Sequence, residues 1–144
     1  MKTLVAYYTK KGKTRAVAQH MAELLQADVF EVTEEPGFRM GELFGRLPAV
    51  APYQGDLKSY DRVILCIPIK KERIAAPMRA FAQRYGSTMN RVVYAFVKNG
   101  LTKDYPNCIT EMDALVGKTF EQAIFVDPDG PQVNVAKFVE QLQA

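Results

Sequence analysis

Apolar residues gather in five short runs, at 3–8, 29–32, 63–69, 92–97 and 120–126. The runs are dense in Val, Ile, Leu, Phe and Tyr and nearly unbroken rather than alternating, which is the pattern of strands covered on both faces of a sheet. Between them the spacing changes to steps of three and four. Over 14–25, Val17, Met21, Leu24 and Leu25 form one stripe with Ala18 and Ala22 beside it, predicting an amphipathic helix. Pro77 reads as a first-turn proline, Met78, Phe81, Ala82 and Tyr85 share a face, and Gly86 is the expected stop. A further helix is expected over 110–116. The turn Asp127-Pro128-Asp129-Gly130-Pro131 leads into a last one carrying Val135, Phe138, Val139 and Leu142 on one face. The segment 34–59 mixes Gly37, Gly41 and Gly45 with Pro36, Pro48 and Pro52 and is read as loop, with a short helix around 41–45.

Strands alternating with helices predict βαβ units and a parallel sheet. Five strands, helices on both faces and a phosphate-sized loop after the first strand fit a three-layer, doubly wound sheet of order 2-1-3-4-5. The first loop lacks Gly-x-Gly-x-x-Gly, which argues against a Rossmann dinucleotide half. At 144 residues and 48% apolar the chain suits one sizeable core. No repeat or linker is visible, so a single domain over 1–144 is expected.

No apolar run approaches the roughly 20 residues needed to cross a bilayer, and the start MKTLVAYY has no signal-peptide pattern. The expectation is a soluble, cytoplasmic protein without membrane insertion. Cys66 sits inside an apolar run as a small core residue, so a disulfide with Cys108 is not expected. Two cysteines and one histidine, His20, offer no zinc-type ligand cluster. The net charge of +3 comes from scattered residues and gives no reason to expect a nucleic-acid partner. Two local groups stand out: Lys10, Lys11 and Lys13 after the first strand, and Lys70, Lys71 and Arg73 after the third.

In an open parallel sheet, ligands bind outside the carboxyl ends of the strands where the strand order reverses. That rule selects the loops 9–14 and 70–74. Thr9-Lys10-Lys11-Gly12-Lys13-Thr14 offers hydroxyls at both ends, a glycine that lets the backbone approach an anion, and a helix N-terminus behind it. The same residues also suit a plain turn in which a threonine caps the helix and the lysines are solvated.

The stretch Leu4-Val-Ala-Tyr-Tyr8-Thr9-Lys-Lys-Gly12-Lys-Thr14 resembles the flavodoxin pattern of a strand ending in Tyr-Tyr-Ser/Thr followed by Arg-Thr-Gly-Asn-Thr. Asp56-Leu57, Tyr60-Asp61 and Val63-Ile-Leu-Cys-Ile-Pro68-Ile69 resemble that family's approach to its third strand and its Pro-Ile/Val-Trp/Tyr loop, and Ala76-Pro77 resembles its next helix start. The resemblance implies a flavodoxin-like fold and bound FMN, with Thr9, Lys10, Lys11, Gly12, Lys13 and Thr14 around the phosphate. It places Pro68, Ile69, Lys70, Asn99 and Gly100 beside the flavin ring.

The departures fall at that site. Lys11 and Lys13 stand where the family often has threonine and asparagine, and Lys70 where it often has a ring-stacking Trp or Tyr. Arg73 is a candidate to stack through its guanidinium. Tyr105 is the aromatic expected nearby, packing on the surface. The resemblance therefore implies a flavin-dependent oxidoreductase or an electron carrier, working with a redox partner protein or a small electron acceptor. The alternative is a domain that has lost FMN and serves as a binding or regulatory module for another anion or a protein. No catalytic residue is identified. His20 is expected at the surface or a boundary, Met78 and Met89 in packing, and Asp127, Asp129 and Gly130 in a turn and helix cap. A receiver domain would need acidic residues where this chain has lysines.

Overall fold

The computed structural model describes residues 1–35 and 48–143. Its strands are β1 (Thr3–Tyr7), β2 (Asp28–Glu31), β3 (Arg62–Lys70), β4 (Arg73–Ile74), β5 (Arg91–Val97) and β6 (Gln122–Val126). All but β4 pair in parallel, in the order β2-β1-β3-β5-β6, which is 2-1-3-4-5 when the parallel strands alone are numbered. The helices are α1 (Lys13–Leu25), α2 (Ala76–Tyr85), α3 (Pro106–Val116) and α4 (Val133–Gln143). No described helix is long and apolar enough to cross a membrane.

Side chains alternate faces along each strand, and this sorts the core into two layers. Leu4, Ala6, Leu65, Ile67, Tyr94 and Phe96 pack with Met78, Phe81, Cys108 and Met112 of α2 and α3. Val5, Tyr7, Ile64, Cys66, Val93 and Ala95 pack with Val17, Met21, Phe138 and Val139 of α1 and α4. The sheet interior is therefore apolar on both faces, as the unbroken runs predict. Met78 and Met89 are packing residues, 0% and 2% exposed. The cysteines are free and buried, and belong to opposite faces of the sheet.

Several local features differ from the sequence expectations. The third helix begins at Pro106 rather than 110, because a proline fits a first turn where no N–H is needed. The last strand begins at Gln122, and Phe120 instead stacks on Tyr94 with ring centroids 5.7 Å apart. The helix does stop at Gly86, its C-cap, but with right-handed backbone, φ −54°, after which the chain continues into a 3-10 turn, Gly86–Thr88. A side chain there would place its Cβ 2.5 Å from Val116 Cα, so glycine is required by the close approach of the end of α3. The short helix expected around 41–45 lies outside the described residues.

The loop expected after the third strand is a hairpin. Ile69 pairs with Ile74 and Lys70 with Arg73, and Lys71 and Glu72 turn the corner at φ 51° and 65°. Positive φ at both central residues is the signature of a type I′ turn, which normally uses Asn and Gly.

At the amino end of β3, Arg62 is 3% exposed; its guanidinium donates to Glu121 Oε1 at 2.9 Å and to the Leu142 carbonyl at 3.2 Å. Glu121 also accepts from Arg91 through its other oxygen. This cluster ties β3, β5 and α4 together far from the site described next.

Candidate functional site

The carboxyl ends of β1, β3 and β5 open into a cleft of about 540 Å³, within the range of small-molecule sites. Nine of the expected residues line it: Thr9, Lys10, Lys11, Lys13, Thr14, Pro68, Ile69, Lys70 and Asn99. Gly12 and Gly100 are not in its wall. They shape the loops instead, both at positive φ, 92° and 65°.

The floor at α1 suits an anion. Gly12 occupies the N-cap in a left-handed conformation and supplies no side-chain cap, so no threonine caps α1. Thr9 closes the turn instead, its Oγ1 accepting the Gly12 N–H at 2.9 Å. The first internal helix bond is Ala16 N–H to the Gly12 carbonyl at 3.2 Å. Among the described residues, the N–H groups of Lys13, Thr14 and Arg15 therefore have no acceptor on the chain. Such orphan donors, with the positive end of the helix dipole, form a ready anion site. Thr14 is 4% exposed and lines the cleft, and its hydroxyl makes no hydrogen bond among the described residues. Lys13 is held to one side by a 2.8 Å ion pair with Asp129. Arg15 turns away to Glu31 at 2.8 Å, and Tyr7 donates its hydroxyl to the same carboxylate at 2.8 Å. Arg15 and Tyr7 hold the Glu31 carboxyl below its usual range, Arg15 contributing most.

The apolar wall combines residues assigned from sequence with several that were not. Tyr8, Ala75, Ala76, Pro77, Val97 and Pro128 also line the cleft. Tyr8, Ala76 and Pro77 lie within the family-like stretches, so the signal was present there. Pro128 arrives through topology, because the loop after β6 neighbours the start of α1. Among the described residues, Tyr8 rather than Tyr105 is the aromatic of the cleft. Tyr105 is 5% exposed, with its ring 6.3 Å from Phe125, so it is core and not surface. Arg73, the candidate for stacking, is exposed across the hairpin from Lys70 and does not line the cleft.

Asp127 organises the far rim. Its carboxylate accepts from Gly100 N–H at 3.1 Å, Leu101 N–H at 3.3 Å and Asp129 N–H at 2.9 Å. With Gly130 N–H bonded to the Asp127 carbonyl at 3.0 Å, the segment is the expected turn. His20 is half-buried against that turn in a small cleft of about 60 Å³. Glu72 at the hairpin tip pairs with Lys103 at 2.8 Å, linking the hairpin to the loop after β5.

A phosphate-sized anion site, an apolar wall and this strand order coincide with a match over residues 4–138 to the family model described as flavodoxin domain. The chain belongs to the flavodoxin domain family. No curated protein matches it. The fold is shared with solved structures at low identity. A Bacteroides eggerthii protein classed as a flavoprotein superposes with a TM-score of 0.78 at 14% identity, covering 99% of this chain and 98% of the other. A Lactobacillus acidophilus flavoprotein in complex with FMN gives 0.74 at 17%, with 94% and 97% covered. Oxidised flavodoxin 1 from Bacillus cereus gives 0.62 at 15%, with 98% and 94% covered.

Proposed function

We propose that this chain binds FMN and exchanges electrons with a redox partner protein or a small electron acceptor. The observation that carries the reading is the α1 terminus. Among the described residues, three orphan N–H groups and the unbonded Thr14 hydroxyl lie at a cleft lined by apolar Tyr8, Pro68, Ala76, Pro77 and Val97 as well as by Lys10, Lys11 and Lys70. The residues fit the group: the Lys13, Thr14 and Arg15 amides and the Thr14 hydroxyl would hold the phosphate, while Tyr8, Pro68, Ala76, Pro77 and Val97 would exclude water from the ring. Flavin supplies the capacity to accept and release electrons, and the protein supplies position and electrostatics. Lys10, Lys11 and Lys70 favour added negative charge in the cleft, so they favour the reduced state of whatever is bound there. Lys70 in place of an aromatic removes a stacking surface, which lowers affinity. We place this activity in the cytoplasm.

The test is the absorbance spectrum of purified protein before and after FMN addition, with a fluorescence titration. The reading expects saturable one-to-one binding; a folded sample with no binding at about 1 mM FMN, the weak end of useful affinity, overturns it.

A second reading, a flavin-free module for another anion, is favoured by the same three lysines in the cleft wall. It expects a thermal shift with pyrophosphate or a nucleotide in protein that ignores FMN.

A further inference from the structure

The hairpin beside the cleft is built against local preference. Lys71 and Glu72 both adopt left-handed backbone, φ 51° and 65°, where side chains other than Gly, Asn and Asp are disfavoured. Lys70 and Arg73 face each other directly across the two strands, and like charges so placed repel. Neither cation has an ion pair among the described residues, and nor do Lys71, Lys10 and Lys11. Every arginine with an ion pair among the described residues lies elsewhere: Arg15 with Glu31, Arg62 and Arg91 with Glu121, and Arg79 with Glu111.

Among the described residues, the carboxylates around the cleft do not neutralise this rim. Glu72 is taken by Lys103, Asp129 by Lys13, and Asp127 by backbone amides. Exposed Asp104 is left. Positive charge is thus concentrated on two separate loops at one mouth, with half-buried Lys98 on a third. Local conflicts that the fold does not resolve internally are expected where a surface meets something else.

We propose that this rim is a docking face for a partner protein with an acidic surface. Six cations on three loops suit carboxylates spread over a protein face rather than one small anion, and opposite potentials steer such encounters. The partner's being a redox partner rests on the flavin reading; the docking itself does not.

The probe is a glutamate-rich peptide of about ten residues, long enough to span the mouth, added to 15N-labelled protein at low ionic strength. The measurement is made with and without FMN. The expected result is amide shifts at residues 10–11, 70–73 and 98 in both samples, removed by 0.5 M salt because exposed charges are then screened. The double variant Lys71→Glu/Arg73→Glu, whose side chains do not line the cleft, should weaken the peptide about tenfold while its fold, read from the same spectrum, is unchanged. Shifts confined to the start of α1 and abolished by FMN or pyrophosphate would overturn the proposal in favour of a small-anion site. Equal shifts around Lys58 and Lys137, or no effect of the double variant, would overturn it as general charge attraction. Failure to bind FMN leaves the peptide map intact and refutes the flavin reading alone.

Discussion

Replacing Thr14 by valine separates binding from folding. The two side chains are nearly isosteric and both β-branched, so the first turn of α1 keeps its rotamer and packing. Thr14 is 4% exposed and its hydroxyl bonds to no described residue. Removing the hydroxyl therefore takes no hydrogen bond from the FMN-free protein, whose stability should stay within about 0.5 kcal/mol. With phosphate bound, the hydroxyl would donate to a charged acceptor, a bond of about 1.5–3 kcal/mol. At 1.4 kcal/mol per factor of ten, the valine variant should bind FMN about 10-fold to 150-fold more weakly. The open amides of Lys13, Thr14 and Arg15 keep binding from vanishing. Fluorescence titration gives the affinities, and urea unfolding of FMN-free protein gives the stabilities. A change in affinity under about threefold, or about 2 kcal/mol of lost stability, would show that the hydroxyl has another partner and refute the reasoning.

Three further outcomes follow from the same geometry. Glu121→Ala leaves the Arg62 charge 3% exposed with the Leu142 carbonyl as its one remaining partner among the described residues, so urea unfolding should show a loss of about 3 kcal/mol or more. Because Arg15 and Tyr7 lower the Glu31 pKa in the fold, its contribution is present above the unfolded carboxylate pKa and is lost as pH falls through the folded one. Glu31→Gln should therefore flatten the acid limb of a stability–pH curve below about pH 4.5. Burial pushes the Cys66 thiol up to about 12, so the native protein should resist thiol reagents at pH 8, and Cys66 should react only on unfolding.

The fold was legible because unbroken apolar runs and helical stripes are set by burial, and burial on both sheet faces is what this architecture imposes. The cleft was legible because one loop, Thr9 to Thr14, carries both the hydroxyls and the helix start. The hairpin was not. Lys70-Lys71-Glu72-Arg73 contains none of the glycine or asparagine that announces a type I′ turn. Gly86 is the helix stop its position suggests, but what demands glycine there, the backbone of Val116, lies thirty residues away in sequence. Tyr105 was misplaced for a related reason. Its burial depends on Phe125 of β6, a partner that only the assembled sheet supplies. Pro128 came to the cleft in the same manner, through the neighbouring loops held by Lys13 and Asp129.

The central claim is that the start of α1 holds a phosphate, and comparing FMN with riboflavin by fluorescence titration tests it most directly. The two share the ring and differ at the phosphate. Several charge-assisted bonds to that phosphate predict riboflavin binding at least about 100-fold weaker. Equal affinity for the two would contradict the account, since the ring alone would then do the binding and the open amides of Lys13, Thr14 and Arg15 would hold nothing.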